Sequence, residues 1–173
     1  SETIYMRPQA AASLEALFAG AAEDGLTLYA TSGYRSYSTQ KAIFERKLDR
    51  MSEKQANLSV AKPGYSEHQT GLAMDIEGET TKGTGLTEAF GESPEGIWAA
   101  KHCAEYGFII RYPKDKTKIT GYIYEPWHLR YVGREAAQEI TALDVTFEEY
   151  IAMVRSDRIQ WLQEETQYDD QNP

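Results

Sequence analysis

Two short stretches hold four side chains with the types and spacing of a metal site. His68 and Asp75 lie seven positions apart in Ser66-Glu67-His68-Gln69-Thr70-Gly71-Leu72-Ala73-Met74-Asp75-Ile76, among small residues, and His128 follows Glu125 by three in Glu125-Pro126-Trp127-His128. Two imidazoles and one carboxylate can bind a zinc ion and leave one position open for water, while the spare carboxylate takes that water's proton. Zinc brings the pKa of such a water to about 7 and polarises an amide carbonyl, so the chemistry suggested is peptide hydrolysis, with Glu125 finally passing its proton to the departing amine. The developing oxyanion needs a further cation, and Arg35 in Ser32-Gly33-Tyr34-Arg35-Ser36, always protonated and forked toward oxygen, is the candidate.

Taken singly, each residue has an ordinary explanation. His68 and Asp75 could be a hydrogen-bonded surface pair, Glu125 a solvated carboxylate, and Arg35 a charged residue in a strand-ending turn. What joins them is that the chain has three histidines and two fall where small residues and a proline spoil regular secondary structure, as happens where function overrides local rules. His102 has no nearby partner in sequence and reads as structural or exposed, and Cys103 as a buried small apolar residue.

The elements that must position these groups are legible from hydrophobic periodicity. A helix is expected over Ala10 to Ala22, ended by Asp24-Gly25, and a strand over Leu26 to Thr31 that delivers the chain to Arg35. A second helix starts with Ser38 as N-cap and runs to about Gln55, after which Pro63-Gly64 breaks the pattern and Tyr65 to His68 enters as a loop. From Gly71 to Ile76 the period is two: Leu72, Met74 and Ile76 form a core face, Gly71, Ala73 and Asp75 the opposite one, and Gly71 permits the bend that brings His68 to the side of Asp75. Glu77 to Pro94 reads as a surface excursion beside a cleft, Ile97 to Tyr106 as a helix capped by Gly107, and Phe108 to Tyr112 as a strand in a hairpin-like pairing with Gly121 to Tyr124. Pro126 argues against a regular strand interior over Glu125 to His128. A final strand over Leu129 to Val132, a helical stretch from Arg134 to Ile140 and a last helix from Phe147 to Trp161 with a Thr146–Glu149 capping box complete the pattern.

The composition bounds what such a site serves. At 173 residues the chain suits one domain, large enough to bury a core without a structural metal. A net charge of −9 and a pI near 4.9 argue against nucleic acid as a partner. With one cysteine no intrachain disulfide forms, and no apolar run approaches the roughly 20 residues that cross a bilayer, so no membrane segment is expected. Residues 1–162 are expected to be the folded domain and 163–173 a polar, acidic, loosely packed tail.

The set Ser32-Gly33-Tyr34-Arg35-Ser36 with Gln40, Pro63 through Ile76, Tyr106 through Pro113, and Glu125 through Gly133 resembles the VanY-type zinc D-alanyl-D-alanine carboxypeptidases, LAS-type peptidoglycan peptidases that have L,D-carboxypeptidase relatives. The resemblance runs from about the first helix through Tyr150. It implies a single α+β domain whose central antiparallel sheet carries a zinc site and is flanked by helices. It further implies zinc ligands His68, Asp75 and His128, the base Glu125, an oxyanion-stabilising Arg35, and a substrate pocket lined by Gln40, Ser66, Tyr112 and Trp127. The expected activity is removal of the C-terminal D-Ala from peptidoglycan stem peptides ending in D-Ala-D-Ala, the partner being the stem peptide or its precursor. An L,D-carboxypeptidase acting on the tetrapeptide stem is the alternative, and a binding module that holds a cell-wall peptide uncut is disfavoured by the presence of Glu125. The expected location is extracytoplasmic, in the cell envelope or secreted, with the export signal or anchor absent from this chain; a cytoplasmic location is left open.

Overall fold

Four strands, β1 (Leu28–Ser32), β2 (Ala73–Gly78), β3 (Phe108–Tyr112) and β4 (Glu125–Tyr131), pair antiparallel in the order β1-β2-β4-β3. The computed structural model in which they are seen describes residues 3–171, with side chains through 160. The alternation expected for β2 is present: Met74 and Ile76 enter the main core with Leu129 of β4 and Phe108 of β3, while Asp75 faces the other side. The helices α1 (Pro8–Glu23) and α4 (Pro94–His102) close over that core with Leu14, Leu17, Ala21, Trp98 and Ala99. Each large apolar side chain so buried stabilises the fold by about 1.5–3 kcal/mol. Two further helices, α6 (Arg134–Leu143) and α7 (Phe147–Gln171), gather Ala137, Ile140 and Phe147 around Ile109 in a second cluster. The chain is a single α+β domain, as its sequence leads one to expect.

Strand register does the assembling. Asp75 stands directly opposite His128 across the β2–β4 ladder and opposite Ser32 across the β1–β2 ladder, and opposed residues in an antiparallel pair have Cβ atoms about 4.5–5.5 Å apart. At the far edge Tyr112 opposes Glu125.

Several local expectations are corrected. Glu125 to His128 belongs to β4, which starts earlier than the strand expected over Leu129 to Val132, but as Pro126 suggests the segment is not a regular strand interior. Between Ile110 and Tyr112 on one side and Leu129 and Glu125 on the other the register shifts, so β4 bulges there, and a bulge tolerates a residue without a ladder N–H. The hairpin-like partner of β3 is therefore β4, and Gly121 to Tyr124 lies outside the sheet. The second helix, α2 (Tyr37–Leu48), is capped by Ser36, which accepts from the Thr39 N–H, and not by Ser38. It stops well before Gln55 because Ser52 and Gln55 form a capping box that starts a separate turn, α3 (Glu53–Ala56). His68 rides on a 3-10 turn, Glu67–Thr70, where a loop was expected, and the helix expected over Ile97 to Tyr106 is α4 followed by a 3-10 turn, Cys103–Tyr106. The Thr146–Glu149 capping box forms as expected, but α7 runs on to Gln171 because nothing in the sequence after Trp161 breaks a helix before Pro173.

Gly71 makes the turn between the 3-10 segment and β2 in the left-handed region, at φ 71°. A Cβ added there would also lie 3.2 Å from Arg7 Cγ and 3.3 Å from Arg7 N. Gly71→Ala is expected to lower stability by about 1–2 kcal/mol, the cost of a left-handed L-residue. Urea unfolding with an unshifted midpoint would contradict this account of the turn.

Candidate active site

His68 reaches the site from its 3-10 turn, Asp75 from the middle of β2 and His128 from β4, all three buried, and one ligand atom of each lies within 4.8 Å of the others. His68 Nε2 is 3.3 Å from Asp75 Oδ2, and His128 Nδ1 is 3.0 Å from Asp75 Oδ1. The imidazoles stand edge to face with centroids 4.9 Å apart. His68 Nδ1 donates to the Gly33 carbonyl at 2.7 Å, which leaves the Nε2 lone pair of the neutral ring facing Asp75. Two imidazoles and a carboxylate converging in a buried space are the donor set of a zinc site with an open position, so the residues present fit the ion.

Arg35 joins the three candidate ligands from the segment after β1. Its Nη2 donates to Asp75 Oδ2 at 2.5 Å and approaches His68 Nε2 at 3.0 Å, its Nε donates to Ser32 Oγ at 2.9 Å, and its Nη1 to Gln40 Oε1 at 3.4 Å. Burial alone would raise Asp75, but His68 and His128 outweigh it and keep the carboxylate ionised far below its usual range. Burial lowers His68. It also works against a charged His128, yet the Asp75 carboxylate bonded to Nδ1 and the nearby Glu67 carboxylate push that ring up to about 9. Glu125 lies beside these groups, its Oε2 3.8 Å from His128 Nδ1, and burial pushes its carboxyl up to about 7.

The three candidate ligands, Arg35 and Glu125 line one cleft of about 460 Å³ together with Gln40, Ser66, Tyr112 and Trp127, so the nine residues singled out in the sequence share one cavity. Their settings differ. Gln40 is fully buried and its amide is engaged at both ends, accepting from Arg35 and donating to the Ala61 carbonyl at 2.7 Å. Tyr112 stacks on Tyr122 at 4.5 Å and lies 5.0 Å from the His128 ring, and Trp127 is shared with the main core. Ser66 opens the 3-10 turn without capping it. Val60, Leu86 and Ile123, which sequence reasoning did not single out, add an apolar wall.

Sequence reasoning also assigned no part to Glu67, Arg111 and Arg130. Glu67 Oε1 accepts from Arg111 Nε and from Arg130 Nη1, both at 2.8 Å, and Arg111 forks its remaining nitrogens onto Glu148 at 3.0 and 2.6 Å. Burial would raise Glu67, but His128, Arg111 and Arg130 hold it down at about 2. The signal was present: Arg111 and Arg130 each sit in an apolar strand, where a buried cation needs an anion. The third histidine, His102, stacks on Trp98 and bonds Glu105, away from the cleft.

Comparison with known proteins finds both sequence relatives and solved structures of similar fold. The family profile described as VanY, D-alanyl-D-alanine carboxypeptidase, matches residues 3–134. A Bacillus subtilis (strain 168) protein, provisionally named carboxypeptidase YodJ, is 51% identical over 151 residues, 87% of this chain and 55% of its own. The solved structure of the LdcB LD-carboxypeptidase is 50% identical, covers 88% of this chain and 72% of its own, and superposes with a TM-score of 0.82. A VanY D,D-pentapeptidase variant from a VanB-type resistance cassette, in complex with Zn(II), is 38% identical, covers 87% of this chain and 86% of its own, and has a TM-score of 0.74. The chain spans about half the length of three curated relatives it matches, 55%, 46% and 52%.

Zinc is expected to bind at one ion per chain. Because a proton held by His128 up to about 9 competes with the ion, affinity should rise with pH toward that value, with protons released on binding. Titration against a chromogenic chelator at several pH values checks both points. Unchanged affinity in His128→Ala would remove that residue from the ligand set.

Proposed function

Because the chain belongs to the VanY family of D-alanyl-D-alanine carboxypeptidases, we propose that it is a zinc carboxypeptidase that removes the C-terminal D-Ala from peptidoglycan stem peptides ending in D-Ala-D-Ala. The observation that carries the reading is Glu125, a buried carboxyl raised to about 7 beside the three candidate ligands, where a general base for neutral pH is needed. In this reading His68, Asp75 and His128 hold zinc, which supplies a Lewis acid that acidifies water and polarises the scissile carbonyl. Glu125 accepts a proton from the attacking water and later delivers it to the amine nitrogen of the departing D-Ala. Arg35 donates to the oxygen on which charge develops, and Gln40, bonded at both ends, keeps its guanidinium aimed. Tyr112, Trp127 and Ser66 face the peptide, and the apolar wall of Val60, Leu86 and Ile123 limits competing water. The catalytic unit is assigned to residues 1–162, with 163–173 as an appendage, and a stem-peptide substrate would place the protein outside the cytoplasm. Among the described residues no helix is long and apolar enough to cross a membrane.

A second reading is supported by a specific likeness. The LdcB LD-carboxypeptidase is nearer in identity and superposition, 50% and 0.82, than the VanY D,D-pentapeptidase, 38% and 0.74, which favours the tetrapeptide stem as substrate. The family's own description and the curated D-alanyl-D-alanine carboxypeptidases of Enterococcus faecium and Enterococcus faecalis support the pentapeptide.

Incubating the zinc-loaded protein separately with a pentapeptide ending in D-Ala-D-Ala and with the matching tetrapeptide, and weighing the products by mass spectrometry, separates the two. Loss of alanine from the pentapeptide alone is the expected result; loss from the tetrapeptide alone would move the chain to the L,D branch, and no cleavage of either would sink the carboxypeptidase reading. For the base, Glu125→Gln should keep zinc and lose nearly all turnover, and the wild-type kcat/KM should fall as pH drops below about 7. Turnover retained by Glu125→Gln would transfer the role elsewhere.

A further inference from the structure

In the wall of the same cleft, at the ring nitrogen of His128 that does not bond Asp75, two buried polar atoms face each other with no other partner among the described residues. They are His128 Nε2 and Glu67 Oε2, 3.6 Å apart. The other oxygen of Glu67 is held by Arg111 and Arg130, and Arg111 is itself held by the two oxygens of Glu148 on α7. The carboxylate is therefore fixed from behind by two strands and a helix while its free oxygen points at the imidazole. Nothing in the proposed reaction uses Glu67, and a carboxylate this buried is costly to keep without a task for its second oxygen.

Resting on the reading of His68, Asp75 and His128 as zinc ligands, we propose that Glu67 is a positioning residue for His128: it accepts the Nε2 proton and so fixes the tautomer whose Nδ1 lone pair faces the ligand atoms of Asp75 and His68. The two histidines are then set in opposite senses. His68 gives its Nδ1 proton to the Gly33 carbonyl and offers Nε2, whereas His128 gives its Nε2 proton to Glu67 and offers Nδ1. A ring nitrogen that is to bind an ion needs the proton on its other nitrogen, and the acceptor of that proton sets both the orientation and the basicity of the ring. Closing 3.6 Å to hydrogen-bond length needs a shift of only a few tenths of an ångström, within ordinary side-chain adjustment on ligand binding.

The test uses the full chain. Zinc affinity of Glu67→Ala is expected to fall about 10- to 100-fold, the usual effect of losing the partner of a ligating histidine. Glu148→Gln loosens Arg111 from α7 but leaves Glu67 both arginines, so it should lower thermal stability and leave zinc affinity unchanged. Side-chain 1H–15N spectra of the zinc-loaded wild type should show a His128 proton on Nε2, shifted downfield and slow to exchange with water. Should Glu67→Ala fail to fold, that spectrum decides by itself: a His128 Nε2 proton in free exchange, or a proton on Nδ1, would overturn the assignment. Equal zinc affinity in wild type and a folded Glu67→Ala would overturn it too, without touching the zinc reading. A wild type that takes up no zinc would bring down that reading first and this inference with it.

Discussion

Asp75 is a carboxylate held at 2% exposure in the middle of a sheet, and the arrangement of the site face follows from what that requires. Stripping the water from one carboxylate costs several kcal/mol, which only well-placed cations and hydrogen bonds offset. Two histidines and Arg35 meet that need from three different segments. The same logic repeats one layer out. Glu67 sits between Arg111 and Arg130, and Arg111 between Glu67 and Glu148, so charge alternates from the cleft to α7. Glu67 and Arg111 each hold two partners of opposite charge, so the network that keeps these groups folded inward also keeps them aimed.

How much of this was legible in the sequence differs by residue. His68, Asp75, Glu125 and His128 stood out by type and spacing, and the period-two pattern put Asp75 on the face opposite Met74 and Ile76. The irregularity of β4 was legible in Pro126, but its membership of the sheet was not, because the argument weighs a missing ladder hydrogen bond and cannot see that a shift in register removes the need for it. The end of α2 was missed for a similar reason: Ser52 and Gln55 form a capping box inside a stretch whose composition is uniformly helical. Glu67 escaped notice because its partners lie 44 and 63 positions away, and only the β3–β4 pairing brings Arg111 and Arg130 to one carboxylate.

The candidate ligands and base and the outer wall of the cleft come from different parts of the chain. Asp75, Glu125 and His128 come from strands, with His68 and Arg35 from segments joined directly to them, whereas Val60, Ala61, Leu86, Tyr122 and Ile123 come from connecting segments. Connections of this kind change length and composition at little cost to the sheet. Proteins named for D,D and for L,D cleavage can therefore superpose on one frame, as the two solved structures do on this chain.

The lone cysteine has its own consequence. Cys103 is buried in the main core directly after α4, and burial pushes its thiol up to about 12. It carries no appreciable thiolate at neutral pH, and so neither attacks a disulfide nor presents a nucleophile to peroxide. Thiol–disulfide exchange with the surroundings is thereby disfavoured at this position, and a cysteine introduced on the surface would be the thiol that a maleimide dye reaches first.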